Sequence, residues 1–579
     1  MKFANIILTG FVIIFMAAGL SATDRSQTPI RLAIIGDRTG SPDIGVYGQI
    51  IEEINRLCPD LALTVGDMIV GYTEDKTLLH ARWDEYDSIV AALKAPLYYT
   101  PGNNDIYNDV MEVIYRRRIG EPYFSFNYEY IHFIILDNSR WGSSDELPPE
   151  QIAWLEEDLR ANQGAGQTLI LMHKPFWYNT TAKGLPDTLH TLFVAYGADA
   201  VFSGHFHTYF TGRYDDVVYT NLGSSGGGMN PGPTGLGYHF CWVTIDQESI
   251  IITPIKKDAV LPWDEVTADE LLIVTNMRRF GIDMGRTLVE NDLTATNRNF
   301  SVTVNNLSPD QPIDDSLWWE VPNGWVVHPE HMMISVPPDD SRAVTFTASC
   351  TGELYPTPIA NFDFHYAQNK QAVIQTSLLI GRQAQCFPAK NPPVIDGQLN
   401  EEFWQNPETV FFTADGNPAE VEPTEFYFAY DQENLYLASH CSETVMDSLL
   451  STVVDHDGSV YNDDCVGYFI QPDTSQAIGY QIYFNPSEIV FDQKLTIDQY
   501  GFAGGDRSWD GEYRVKTYQG DSYWSIEAVL PLAQFGIAAN TDDIWGINFK
   551  RKQQRLNISA NWQVPIDYDP KTFGLMILR

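Results

Sequence analysis

Aspartate, asparagine and histidine recur at the ends of apolar runs in the first part of this 579-residue chain. The segments are Ile35-Gly36-Asp37-Arg38-Thr39, Val65-Gly66-Asp67, Pro101-Gly102-Asn103-Asn104-Asp105, Met172-His173-Lys174-Pro175 and Gly204-His205-Phe206-His207. Carboxylate, amide oxygen and imidazole form a donor set that suits Zn, Mn or Fe rather than Ca or Mg alone. A Gly-Asp pair after a strand is common. The whole series in this order implies a hydrolase built on two divalent transition-metal ions. Hydrolysis at neutral pH needs a hydroxide and positive charge beside the oxygens of the bond attacked, and two cations roughly 3.5–4 Å apart supply both. Ions that close require a bridging anion, and Asp67 follows a buried run, where such an anion would be held rigidly.

These side chains need rigid elements behind them. The apolar runs at 31–36, 61–65, 97–100, 132–136, 168–172 and 200–203 read as short buried strands. Between them Ile50, Ile51, Ile54 and Leu57 fall at helical spacing, as do Trp83, Tyr86, Val90 and Leu93, and Pro148-Pro149-Glu150 opens a further helix. Strand–helix alternation predicts an α/β layered fold over 23–260, with ligands gathered where strands give way to loops. In His205-Phe206-His207, alternation along an extended segment would put both imidazoles on one side and Phe206 into the packed layer.

The series resembles the calcineurin-like metallophosphoesterase superfamily, over about 230 residues that include Leu136-Asp137 and the later Gln151-Ile152-Ala153-Trp154-Leu155. The resemblance implies that Asp37, Asp67 and His207 hold one metal, and that Asp67, Asn103, His173 and His205 hold the other. It implies attack of a metal-bound hydroxide on a phosphomonoester or phosphodiester. Two positions depart from the family pattern. Thr39 stands where Asp-x-His is usual, which removes an imidazole ligand, and Asn104 stands where the family has a histidine that protonates the leaving group. An amide cannot act as a general acid near pH 7, a role worth about 10²–10⁴-fold. Three readings stay open: a substrate with a good leaving group, compensation by another group such as Arg38, or a site that binds metal and turns over poorly. Asn104 and Arg38 are the candidate phosphate contacts; for Arg38 a salt bridge to local carboxylates is the competing role. The glycine-rich run from Gly223 either presents backbone N–H groups to a phosphate or forms a lip beside the site.

Composition frames the rest. A formal net charge of −40 disfavours nucleic acid or an anionic membrane as partner. Lys2, the apolar run from Ile6 to Leu20 and the small residues up to Ala22 read as a signal peptide over 1–22, so the mature chain is expected to be exported, periplasmic or extracellular, with no transmembrane segment. The six cysteines contain no CxxC; they are either disulfides, with Cys350–Cys386 and Cys441–Cys465 nearest in sequence, or buried thiols.

After a connecting stretch at 261–296, read as partly helical, short alternating strands over 297–385 predict an immunoglobulin-like β-sandwich. A second β-rich unit, 386–579, is similar to carbohydrate-binding module family 9. The similarity rests on Asp396-Gly397-Gln398 with Phe403-Trp404, on Asn462-Asp463-Asp464, on Trp524 with Glu527 and Pro531, and on Trp545 with Asn548. Sugar binding there would need exposed aromatic faces, for which Trp509 and Trp562 are the candidates against the alternative that both pack in the core. Asp455, Asp457, Asp463 and Asp464 could hold a structural Ca²⁺. The resulting expectation is an exported phosphoesterase tethered to a polysaccharide-binding module; the alternative is a catalytically weak metal-binding protein whose main role is polysaccharide or cell-surface binding.

Overall fold

The computed structural model of the chain describes residues 29–229, 235–290, 292–497 and 503–579. The expected signal peptide lies outside the described residues. The chain divides into two compact units between Leu272 and Ile273.

The first unit contains strands β1 (Ile30–Ile35), β2 (Leu61–Thr64), β3 (Leu97–Tyr98), β4 (Phe124–Tyr128), β5 (Ile131–Ile135), β6 (Gln167–Leu171), β7 (Ala200–Ser203), β8 (Phe210–Tyr214), β9 (Val217–Asn221), β10 (His239–Ile245), β11 (Ile250–Lys256) and β12 (Ala259–Val260). They form two six-stranded sheets, ordered β12-β11-β10-β1-β2-β3 and β4-β5-β6-β7-β9-β8. Residues alternate between two cores along β1. Leu32 and Ile34 join Leu63, Leu169 and Val201 between the sheets, while Ala33 and Ile35 face the helices α1 (Val46–Leu57), α2 (Lys76–Val90) and α3 (Asp109–Arg118). Leu155 and Leu159 of α4 (Pro149–Ala161) and Phe193 of α6 (Thr188–Tyr196) cover the second sheet, with the four-residue α5 (Phe176–Asn179) between them in sequence. The layers are therefore helix, sheet, sheet, helix.

Strands β1, β2 and β3 run parallel in one sheet, and β5, β6 and β7 run parallel in the other. Every candidate metal ligand follows the carboxyl end of one of these strands, where a parallel sheet gathers its loops. Cap residues fix where two of the helices begin. Asp75 accepts the Thr77 and Leu78 N–H groups, and Asn108 accepts that of Met111.

The second unit begins within the helix Ala268–Phe280, whose Val274 and Met277 lie in its core. The connecting stretch, expected to be partly helical, contains this helix, and within it Ile282–Met284 pairs antiparallel with the strand Ala295–Asn305. Two four-stranded sheets enclose a common core that includes Val302, Leu317, Phe346 and Phe362. The strand Gln383–Pro388 then pairs with Gly574–Leu578 on one side and Thr424–Tyr430 on the other, joining the two faces of the C-terminal sandwich. All six cysteines are free thiols, and all but Cys58 are buried, so neither suggested disulfide is present.

Candidate metal centre

Asp37 is fully buried, and its Oδ1 has no hydrogen-bond partner among the described residues. An orphaned carboxylate oxygen in a protein interior is costly unless something binds it. Ligand atoms of Asp37, Asp67 and His207 all lie within 4.8 Å of one another. The His207 Nε2 is 3.4 Å from Asp37 Oδ2, and its Nδ1 donates to the Gly228 carbonyl at 2.6 Å. His173 repeats the arrangement. Its Nδ1 donates to the Val65 carbonyl at 2.8 Å, leaving Nε2 2.9 Å from Asn103 Oδ1 and 3.3 Å from Asp67 Oδ1. A backbone carbonyl on Nδ1 fixes the tautomer and ring plane and turns Nε2 inward, as metal-ligating imidazoles require. The His205 ring lies 5.1 Å from that of His173 and has no hydrogen-bond partner among the described residues. All six residues expected to be ligands converge, and their oxygen and imidazole chemistry fits a pair of divalent transition-metal ions.

The backbone is strained where it presents these groups. Asp67, His205 and His207 have φ of 58°, 76° and 52°, a left-handed region that costs a non-glycine residue about 1–3 kcal/mol. The His205–His207 segment is accordingly a bend rather than the extended run expected from alternation, while Phe206 does pack on the core, with its ring 5.8 Å from that of Tyr178. Close approach also demands glycine. A Cβ on Gly204 would sit 2.2 Å from Asp37 Oδ1, and one on Gly102 would sit 2.3 Å from Asp67 Oδ1.

Electrostatics follow burial and pairing. Burial raises the Asp37 carboxyl above its ordinary pKa despite the neighbouring His207. Burial pushes Asp67 the same way, but the imidazole of His173 and the amide and N–H of Asn104 outweigh it and hold that carboxyl low. Burial would lower His173, yet the carboxylate of Asp67 beside it raises that imidazole well above its usual value. Burial, reinforced by His173, lowers His205 to about 3, so its imidazole is neutral and available as a ligand at pH 7.

Three side chains beside these donors are held by local bonds. Asn104 does not extend its amide towards open space: Nδ2 donates to Asp67 Oδ2 at 2.8 Å, its N–H donates to Asp67 Oδ1 at 2.8 Å, and its Oδ1 accepts from Gly71 at 3.3 Å. It is a positioning residue for Asp67. Arg38 is buried, donates to the Met68 carbonyl at 3.0 Å and pairs with Glu85 on α2, the salt bridge weighed against a phosphate contact. The hydroxyl of Thr39 donates to the Asp67 carbonyl at 3.0 Å, tying the first loop to the second instead of facing a metal. The glycine-rich run is also committed: the N–H groups of Ser225, Gly226 and Gly227 donate to the Asp37 carbonyl at 2.9, 3.1 and 3.1 Å. These bonds prop a ligand-bearing loop.

Other residues matter that sequence reasoning left without a role. Asp105 accepts the N–H groups of Asp67, Met68, Ile69 and Gly102 at 2.8–3.1 Å, so one carboxylate shapes two ligand loops. Its place in the third motif was the available signal. Asn138 accepts the N–H groups of His173 and Lys174, each at 3.0 Å, and Gln151 exchanges two 2.8 Å hydrogen bonds with the Asp137 backbone. Tyr72 has φ of 62°, and its hydroxyl meets the Asn103 amide. No spacing pattern marks it.

In the C-terminal sandwich, Trp562 is fully buried. It stacks 4.8 Å from Phe549, donates to Glu408 at 2.9 Å and lies under the Arg382 guanidinium, so it cannot present a face to a sugar. Trp509 is half-buried against Tyr480 at 4.6 Å and Phe535 at 6.4 Å. Of the expected calcium ligands, Asp463 is occupied by the Thr452 and Val453 N–H groups and the Asn485 amide, and Asp464 by the Leu450 and Gln554 N–H groups. Asp457 instead gathers with His456 and Asp510, while Asp455 is exposed.

Residues 30–209 match the family model described as calcineurin-like phosphoesterase. Purple acid phosphatase 15 of Arabidopsis thaliana is 28% identical over 228 residues, or 32% of this chain and 41% of that protein. The serine/threonine-protein phosphatase CPPED1 of Bos taurus is 28% identical over 205 residues, or 31% of this chain and 65% of that protein. The chain thus matches less than half the length of the plant phosphatase. Among solved structures, a dimetal phosphatase from Danio rerio aligns with TM-score 0.32 and 10% identity, over 40% of this chain and 98% of that one. A carbohydrate-binding module of family 9 from Caldicellulosiruptor kristjanssonii, solved with cellotriose, aligns with TM-score 0.26 and 16% identity, over 34% of this chain and 93% of that one. The match to that family model, residues 30–209, spans the strands and loops that bring Asp37, Asp67, Asn103, His173, His205 and His207 together.

Proposed function

We propose that this protein is an exported, metal-dependent phosphoesterase whose C-terminal sandwich attaches it to polysaccharide. The observation that carries the reading is the convergence of Asp37, Asp67 and His207 around an unpartnered, fully buried carboxylate oxygen. Asp37, Asp67 and His207 would hold one ion, and Asp67, Asn103, His173 and His205 the other. Such a pair supplies a nucleophile at neutral pH and positive charge for the phosphoryl oxygens. The chain's own contribution is to hold the donors. Val65 and Gly228 carbonyls orient the imidazoles, Asn104 fixes both oxygens of Asp67, and Asp105 shapes the loops.

No imidazole stands at position 104, and the amide there is engaged with Asp67. The reading therefore extends to esters whose leaving group departs without a proton, such as aryl esters. The same observation favours the rival reading, in which the domain holds metal and the protein serves as a binding module.

One experiment separates them: hydrolysis of p-nitrophenyl phosphate and bis-p-nitrophenyl phosphate by Mn²⁺-loaded protein, beside Asp67→Ala, with metal content measured. Turnover that vanishes in the variant supports the enzyme, and the ratio of rates gives the monoester or diester preference. No turnover on either ester by metal-replete protein sinks the enzyme reading. Export is checked separately by the intact mass of chain recovered outside the cytoplasm, which should begin just after Ala22.

A further inference from the structure

A cavity of ≈ 650 Å³ opens on the outer face of the C-terminal sandwich, within the range typical of small-ligand sites. Its floor follows from strand register. Along Cys465–Gln471, Val466, Tyr468 and Ile470 face the sandwich core, so Cys465, Gly467 and Phe469 face outward. Gly467 lies opposite Tyr483 on one neighbouring strand and opposite Lys550 on the other, and Phe491 extends the same row beyond Tyr483. A Cβ on Gly467 would meet the Tyr483 ring at 2.5 Å, so the missing side chain lets that ring lie across the floor beside Lys550. Tyr461 and Tyr568 stand at the rim, 36% and 41% exposed, and Tyr461 packs edge-on against Phe491 at 5.4 Å.

The charge of this cavity runs against the rest of the molecule. The chain carries 76 acidic and 36 basic residues, yet among the described residues the lining holds Arg507, Lys550 and Lys552 and no carboxylate. Lys550 and Lys552 project from one face of one strand, an arrangement of like charges that is unfavourable unless an anion joins them. Lys552 donates to Asn557 at 3.1 Å, Arg507 lies over the Phe491 ring at 5.2 Å, and Lys550 has no hydrogen-bond or ion-pair partner among the described residues. Burial, with Lys552 adding to it, lowers the Lys550 ammonium. Two acids that flank the lining in sequence are turned to local bonds: Asp506 accepts from Ser508, and Asp567 from Asp569 and Thr572. Side-chain amides of Gln481, Gln554 and Asn462 complete the walls and can both donate to and accept from hydroxyl groups.

We propose that this pocket binds an acidic saccharide, with its carboxylate or sulfate between Lys550, Lys552 and Arg507 and its ring face against Tyr461 or Tyr568. The site is distinct from the tryptophans expected from sequence. It deepens the reading of the C-terminal unit as a polysaccharide-binding module and is independent of the phosphoesterase reading. A chain of net charge −40 repels polyanions at long range, so retention of an acidic glycan must come from a local cationic pocket.

The test is calorimetric titration of the full-length chain with oligogalacturonate, a sulfated chondroitin oligosaccharide and a neutral cello-oligosaccharide. The expected result is binding to an acidic ligand, weakened at least tenfold in the double variant Lys550→Gln/Lys552→Gln and in Tyr461→Ala, with thermal unfolding unchanged. The carboxylated and sulfated arms identify which anion is preferred. Binding of the neutral ligand alone would leave the polysaccharide-module reading standing and overturn this proposal. Binding to none would overturn both, and acidic binding indifferent to all of these substitutions would overturn the assignment to this pocket. If the double variant unfolds, Tyr461→Ala, which removes a rim side chain and no charge, decides.

Discussion

Replacing Asn104 with alanine separates two roles for that residue, contact with the substrate and positioning of Asp67. The side chain contributes a 2.8 Å hydrogen bond from Nδ2 to Asp67 Oδ2, while the backbone N–H on Oδ1 and the nearby His173 survive the substitution. Asp67 is only 2% exposed, so water cannot readily replace the lost donor. A hydrogen bond to a charged, buried group is worth about 1.5–3 kcal/mol, and at about 1.4 kcal/mol per decade that corresponds to roughly 10- to 150-fold in an equilibrium constant. Loss of a partner that orients a metal ligand costs about 10–100-fold in affinity. The two estimates agree. Asn104→Ala should therefore bind Mn²⁺ about 10–100-fold more weakly in a calorimetric titration, and at saturating Mn²⁺ it should turn over an aryl phosphate within about threefold of wild type. Were the amide a donor to the transition state, kcat at saturating metal would fall by about 10²–10³ with metal affinity intact. That result would refute the positioning argument and restore the role suggested by sequence.

Two further outcomes follow from the geometry. Arg38→Ala leaves the buried Met68 carbonyl without its guanidinium donor and should lower stability by about 1–3 kcal/mol in urea denaturation; KM for an aryl phosphate should stay within about twofold, and a tenfold rise would mean that Arg38 leaves Glu85 to meet substrate. His239 is buried, accepts the Gly223 N–H on Nε2 at 3.2 Å and donates from Nδ1 to Gly237 at 2.8 Å, and burial lowers its pKa to about 4. Because the folded pKa lies below the unfolded value of about 6.5, its contribution is complete above pH 6.5 and is lost as pH falls towards 4, about 3 kcal/mol in all. Wild type should lose that much more stability than His239→Gln between pH 7 and pH 4, and parallel curves for the two would disprove the assignment.

What the sequence discloses is limited by what periodicity and donor chemistry can encode. The parallel strands β1, β2, β6 and β7 are short, mostly apolar and followed within two or three residues by a candidate Asp or His donor, so they can be read from residue order. The later strands β8 to β11 carry no such flag. The roles of Arg38, Asn104 and Trp562 depend on partners 30, 37 and 154 positions away, and a single sequence holds no record of such pairings. His205-Phe206-His207 shows the limit most directly. Alternation assumes extended backbone, yet both histidines sit at positive φ, a conformation that residue type disfavours and that only the surrounding contacts impose. One such contact is visible: the N–H of His205 donates to Asp37 Oδ2 at 3.0 Å, leaving the other oxygen of that carboxylate unpartnered. The bend that defeats the periodicity argument thus ties one candidate donor to another, and the strain at His205 and the unpartnered Asp37 oxygen meet at the same contact.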